Sequence, residues 1–545
     1  MTSVSTVRKR ALSVLGGAAI AAMVLTGCTP GDSGDNGDPG ASGAITVGTT
    51  DKVTTLDPAG SYDNGSFFIM NNVFPFLMNS TPGSSDVHPD IAESAEFTSP
   101  TEYTVVLKPG LKWANGNDLT ASDVKFSFDR QLAIAADNGP STLLYNLDST
   151  AVVDDVTVVF TLKAGNDQIW PQILSSPAGP IVDEDVFSAD ALTTDQEIVD
   201  GNAFAGPYTI SSYKFNELVQ FTAYDGYQGL LEAPKTATIN LKYYADQSNM
   251  KLDVQEGNID VATRSLSATD IESLEANENV TVHKGPGGEI RYIVFNFDTM
   301  PFGAKTAEAD AAKALAVRQA IASVIDREAI ANQVYKGTYL PLYSYVPAGL
   351  TGATEVLKDL YGDGNGGPDV EAAAATLEAA GITDVVNLNL QYNPDHYGAS
   401  SGDEYALIKS QLEASGLFTV DLQSTEWVQY AKDRSADVYP LYQLGWFPDY
   451  SDADNYLSPF FQTDNFLVNH FSDPEIDALI QAQAVETDAA TRESQIEEIQ
   501  AKVAAQLSTL PFLQGAQVAV SGTDVQGVAD TLDASFKFRF NVLSK

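Results

Sequence analysis

Residues 103–130, YTVVLKPGLKWANGNDLTASDVKFSFDR, carry the densest run of structural signals in the chain. Residues 103–107 alternate as a half-buried strand does. Lys108-Pro109-Gly110 then turns the chain, because proline presets φ and glycine accepts a positive one. Leu111-Lys112-Trp113 leads into a second turn at Asn115-Gly116. Thr120 follows as an N-cap with Asp123 three residues on, a box-like helix start, and the helix is expected to run to about Ile134.

Outward from this block, strands and helices alternate, which implies mixed α/β lobes. Strand-like runs stand at 44–47, 151–162, 206–210, 219–223 and 239–244. Others stand at 259–261, 291–297, 386–392, 416–422, 513–520 and 536–540. Helical spacing stands at 317–330, 370–380 (closed by Gly381), 403–414, 473–480 and 491–507, with Pro511 as the stop of the last. Arg318 and Asp326 lie within the first of these and are expected to make structural salt bridges. Residues 361–369, YGDGNGGPD, look calcium-like. Counting from Asp363, however, the sixth residue is Pro368 and the twelfth Ala374, so the EF-hand pattern fails.

Residues 441–460, LYQLGWFPDYSDADNYLSPF, form the candidate site. Apolar residues run up to Trp446 and Phe447, and Pro448 breaks the pattern. Asp449, Asp452 and Asp454 follow with no basic residue among them, flanked by Tyr450, Tyr456 and Phe460. Carboxylates beside aromatic faces suit a positively charged organic ligand.

Residues 103–130 resemble the signature of the family 5 extracellular solute-binding proteins, the peptide and oligopeptide receptors of ABC importers. The resemblance continues through Gly206-Pro207-Tyr208, the Asp225-Gly226-Tyr227 turn and the 317–330 helix, and covers about residues 45–540. It implies an α/β, two-lobed, periplasmic-binding-protein-like fold of type II, in the large cluster with an extra inserted subdomain. The implied first lobe comprises 45–80, 201–285 and 512–545, with the inserted subdomain at 81–200. The second lobe spans 286–511. It also implies capture of a peptide between two closing lobes and delivery to permease subunits. Carried onto this chain, the amine-pairing aspartate of the family is Asp449, with Trp446 beside it and Phe447, Tyr450 and Asp452 completing the ligand contacts. Two alternatives keep part of this reading: the same receptor role for an oligosaccharide or another small solute, and a surface-anchored interaction protein without import.

Arg8, Lys9 and Arg10 precede a small and apolar run, and Leu25-Thr26-Gly27-Cys28 resembles a bacterial lipoprotein cleavage box. The expectation is a signal peptide over 1–27 and a lipid on Cys28, the single cysteine. A Gly-, Asp- and Ser-rich tether would follow over 28–44, with the folded part outside the cytoplasmic membrane. The net charge of −43 repels nucleic acid and anionic headgroups, so no nucleic-acid partner is expected. No Gly-x-Ser-x-Gly elbow, Walker A loop or His/Cys cluster appears, and the four histidines are scattered. The chain is read as a binding protein, not an enzyme, with no cofactor and no metal.

Overall fold

The computed structural model describes residues 43–264, 266–394, 396–397 and 400–545. The expected leader at 1–27, Cys28 and all of the expected tether but its last two residues lie outside these. What is described is a mixed α/β fold of two lobes.

One eleven-stranded sheet runs through both lobes. Its first-lobe half holds Ile45–Thr49, Thr238–Tyr243, Leu218–Ala223, Tyr208–Lys214 and Val261–Thr263. Its second-lobe half holds Leu441–Trp446, Val386–Tyr392, Phe418–Ser424 and the short Tyr339–Pro341. Two long antiparallel strands, Val280–Phe295 and Thr509–Gly522, belong to both halves and cross from one to the other. Their register slips between Pro286 and Ile290, where four steps on one strand face two on the other, from Ala516 to Gln514. The slip falls in Gly285-Pro286-Gly287-Gly288, a run that lacks the side chains a regular pleat would pack.

Each lobe has its own core. The second-lobe core gathers residues from Ile290 to Leu513, with Ala534 added from the C-terminal segment. The first-lobe core gathers Ile45, Phe68, Phe74, Tyr208, Phe221 and Leu241 with Phe538 and Phe540 from the far end of the chain. A third core, around Trp113, Phe128, Phe160 and Trp170, lies under a separate four-stranded antiparallel sheet. That sheet runs in the order Ala92–Ser99, Glu102–Leu107, Thr157–Leu162, Leu147–Val152.

The signature block builds this third unit. Gly110 and Gly116 take φ of 76° and 97°, as the two turns require. Trp113 is buried, and its backbone N–H donates to Asn117 O at 3.0 Å, closing the second turn. Thr120 and Asp123 form the capping box of helix Ala121–Ile134. Near the end of that helix Arg130 makes a bidentate pair with Asp57 at 2.8 and 2.5 Å, and both side chains are buried.

These expectations differ from the structure. The run at 151–162 belongs to two strands, Leu147–Val152 and Thr157–Leu162, joined by a turn, and the helix expected at 317–330 is two, Ala311–Val324 and Arg327–Gln333. Residues 536–540 are irregular, not a strand. The Arg539 N–H donates to Thr531 Oγ1 (2.5 Å) and the Phe540 N–H to Asn72 Oδ1 (3.0 Å), so side chains take the place of a ladder. Helix Ala489–Gln506 ends on Leu507 in the left-handed region, and Pro511 lies inside the strand that follows. The strand expected at 291–297 begins eleven residues earlier, at Val280. Arg318 and Asp326 make no salt bridge among the described residues. Arg318 donates to Gln506 O at 2.9 Å and stacks on Phe297, and Asp326 caps helix Arg327–Gln333.

Candidate functional site

Strand Leu441–Trp446 pairs with the second-lobe half of Val280–Phe295, and Trp446 stands opposite Ile290, beside the crossing. The chain therefore leaves the sheet where the lobes meet. Pro448 then packs on Gly288, where an added Cβ would come within 2.8 Å of Pro448 Cγ and of Ala534 O. Tyr456 donates its hydroxyl to Gly288 O at 2.6 Å. The loop from 447 to 456 is thus fastened to the crossing at both its ends.

Asn455 holds the loop's interior. Its Oδ1 accepts from Trp446 Nε1 and from the Asp449 N–H, both at 2.9 Å, and its Nδ2 donates to Asp449 Oδ2 at 3.3 Å. The other oxygen of Asp449 accepts from the Tyr62 hydroxyl, which comes from the first lobe. No lysine or arginine pairs with Asp449 among the described residues.

Asp452 caps the 3-10 turn Ala453–Tyr456 and receives a bidentate pair from Arg492 at 2.9 and 2.7 Å. Asp454 is buried, and accepts from Tyr450 Oη at 3.1 Å, Ser458 Oγ and Gln483 Nε2. Burial pushes its carboxyl up to about 6.

A cavity of about 280 Å³ opens in front of this loop. The loop contributes Phe447 to Ser451, and Tyr62 and Phe67 face it from the first lobe. Gln172, Ser175 and Ser176 close it from the third unit, and Ser535, Phe536 and Lys537 from the C-terminal segment. Phe447 and Phe536 meet edge to face at 6.1 Å. They also line a second cavity of about 340 Å³, whose walls include Arg264, Glu289, Arg291 and Tyr339.

Of the five residues expected at the ligand, the structure brings Phe447, Asp449 and Tyr450 to the wall of the first cavity. Trp446 and Asp452 stand behind it. The Trp446 ring packs edge-on against Phe460 at 5.0 Å, and Asp452 faces Arg492. Sequence reasoning passed over Tyr62, Ser175 and Lys537. The only sequence signal for Tyr62 is its place in Ser61-Tyr62-Asp63-Asn64-Gly65, between two helix starts. Away from the cleft, Asp298, Asp437 and His470 gather within 4.8 Å. Lys305 lies 2.7 Å from Asp298 and 3.5 Å from Asp437, so the group reads as an ion-pair cluster.

The model of the bacterial extracellular solute-binding proteins, family 5, matches residues 86–467. The dipeptide-binding protein of Escherichia coli (strain K12) is 24% identical over 422 residues, 74% of each chain. Among solved structures, HbpA2 from Haemophilus parasuis aligns with a TM-score of 0.77 at 19% identity, covering 92% of this chain and 99% of that one. MppA, a periplasmic murein tripeptide binding protein in its unliganded open form, aligns with a TM-score of 0.77 at 18% identity, over 93% and 99%.

Proposed function

We propose, for a chain that belongs to the bacterial extracellular solute-binding proteins of family 5, that it captures peptides between its lobes and delivers them to the permease of an ABC importer. The observation that carries this reading is Asp449. Its carboxylate stands on the cavity wall, oriented by Asn455, and among the described residues it has no cation of its own. A peptide α-ammonium would supply that cation, and the aromatic walls of Phe447 and Tyr450 would take the first side chain. Trp446 and Asp452 serve this reading indirectly, by holding the loop. The Trp446 ring is engaged by Phe460 and by Asn455, so it is not the stacking face that an oligosaccharide would use. Names of relatives support the peptide: dipeptides for the protein of Escherichia coli and a murein tripeptide for MppA.

In the same reading Cys28 carries a lipid that tethers the receptor to the outer face of the cytoplasmic membrane. Metabolic labelling with a clickable fatty acid, lost in Cys28→Ala, tests that part.

The central test is calorimetry of wild type and Asp449→Asn with a peptide in free and N-acetylated form. Removing one partner of a buried charge pair costs about 2–5 kcal/mol, or roughly 30- to 3000-fold in affinity. That loss is expected for the free peptide and a much smaller one for the acetylated peptide. Equal discrimination of the two peptides by both proteins would remove Asp449 from the role.

A further inference from the structure

Lys537 lines the same cavity as Asp449 and is the one cation among its lining residues. It is 95% buried, being only 5% exposed. Its ammonium donates to Ser175 Oγ, which also lines the cavity, and to Asn79 Oδ1 at 3.5 Å. Among the described residues no carboxylate lies within 4.0 Å of it. The two acids nearest in influence, Asp90 and Asp533, are occupied elsewhere. Asp90 accepts from Tyr227 Oη at 2.7 Å, the Leu230 N–H at 2.6 Å and Asn79 Nδ2 at 3.2 Å. Asp533 accepts from the Gly83 and Ser535 N–H groups at 3.1 and 2.8 Å, and from Ser535 Oγ.

A second cation two residues on competes for the same amide oxygen of Asn79. Arg539 is fully buried and takes Asn79 Oδ1 at 3.0 Å and Ser80 O at 2.8 Å, and its Nε and Nη1 have no partner among the described residues. A buried ammonium with neutral neighbours is costly, and a buried cation is normally paired. Burial, with Arg539 adding to it, drives the Lys537 amine well below its ordinary range. An anion entering the cavity would reverse this, since a carboxylate at contact favours the charged amine.

We propose that Lys537, with Ser175, is the anion subsite of this cavity, and that it receives the C-terminal carboxylate of the peptide whose amine Asp449 holds. This rests on the peptide reading above and narrows it. A ligand with both charges inside a cavity of about 280 Å³ is a short zwitterionic peptide, because ligand pockets commonly span about 300–1,000 Å³. Internal residues of a long chain offer no carboxylate there, and a C-terminal amide offers a dipole without the charge.

The test is calorimetry of the full chain with Ala-Phe, its C-terminal amide and its N-acetyl form, on wild type and Lys537→Met. Wild type should prefer the free acid to the amide by roughly 30- to 3000-fold, the factor of a buried charge pair. In Lys537→Met, which keeps most of the length of the side chain and loses the charge, that preference should fall to within about threefold, and the preference for the free amine should persist. The wild-type comparison needs no variant, so it tests for a carboxylate subsite even if the substitution disturbs folding, and the variant distinguishes Lys537 from Arg264 and Arg291 of the adjoining cavity. Equal binding of acid and amide by wild type would overturn the proposal, as would an unchanged preference in Lys537→Met. Failure of Ala-Phe and both derivatives to bind wild type would overturn the peptide reading itself, and the carboxylate assignment with it.

Discussion

Arg130→Met is expected to destabilise the first lobe by about 3–5 kcal/mol, the cost of breaking a buried ion pair from one side. No discount for solvent applies, because the Arg130 and Asp57 side chains are 2% and 0% exposed. The arginine also donates to Ser188 O and, at 2.9 Å, to Ala191 O, and its guanidinium lies 5.4 Å from the Phe187 ring centre. Methionine returns the apolar stem but none of these bonds. Asp57 keeps two backbone donors, Ala59 at 3.0 Å and Thr193 at 2.7 Å, which blunt the loss without removing it. Urea denaturation followed by tryptophan fluorescence is the assay, since Trp113 and Trp170 are both buried in the core that the Arg130 helix covers. Asp57→Asn in the same background should cost less than it does alone, because the second charge is then gone from both sides. A loss under about 1 kcal/mol for Arg130→Met would refute the reasoning, since that is the value of a surface bridge.

The Tyr62 hydroxyl reaches across from the first lobe to Asp449, so Tyr62→Phe should enlarge the radius of gyration of the ligand-free protein in small-angle scattering. Equal radii would show that this bond does not hold the lobes together. Asp454 titrates at about 6 in the folded chain against 3.8 for an ordinary aspartate, so the folded state binds more protons between those values. Stability should therefore fall as pH rises from about 4 to about 6, by up to about 3 kcal/mol. Asp454→Asn should flatten that part of the profile in urea titrations run at several pH values, and an unchanged slope would count against it.

The sequence shows local signals and hides remote partners. The 103–130 block is legible because each of its devices acts within a few residues: the Gly110 and Gly116 turns, the Thr120–Asp123 box and the helix to Ile134. The 441–460 loop is legible as an acidic and aromatic corner for the same reason. What makes Asp452 a structural residue is Arg492, forty positions later and invisible to spacing. Lys537 was hidden by a pattern that pointed the wrong way. Read as a strand, Phe536-Lys537-Phe538-Arg539-Phe540 turns its phenylalanines inward and its cations to solvent. Among the described residues the segment has no strand partner, Phe536 takes a φ of 59°, and Lys537 and Arg539 are buried together with Phe538 and Phe540. The full length of the crossing strands is not visible in sequence because glycines and a proline interrupt their alternation at the point where they pass between lobes.

Three aspartates that look alike in sequence are separated by what each has left to accept. A carboxylate offers about four lone-pair sites. Asp452 spends them on both arms of Arg492 and on the Asp454 N–H at 2.8 Å, and its charge is cancelled. Asp454 spends them on a phenol, a hydroxyl and an amide, in a setting dry enough to raise its carboxyl to about 6. Asp449 accepts from Tyr62 and from Asn455, both neutral, and faces the cavity. Among the described residues no cation offsets it, and about two acceptor positions remain for an ammonium with three N–H donors. The first two aspartates make the third useful. Asp452 and Asp454 fix the turn that carries Asn455, and Asn455 fixes the orientation of Asp449. A ligand amine then meets a carboxylate already aimed, and less ordering is left to oppose binding.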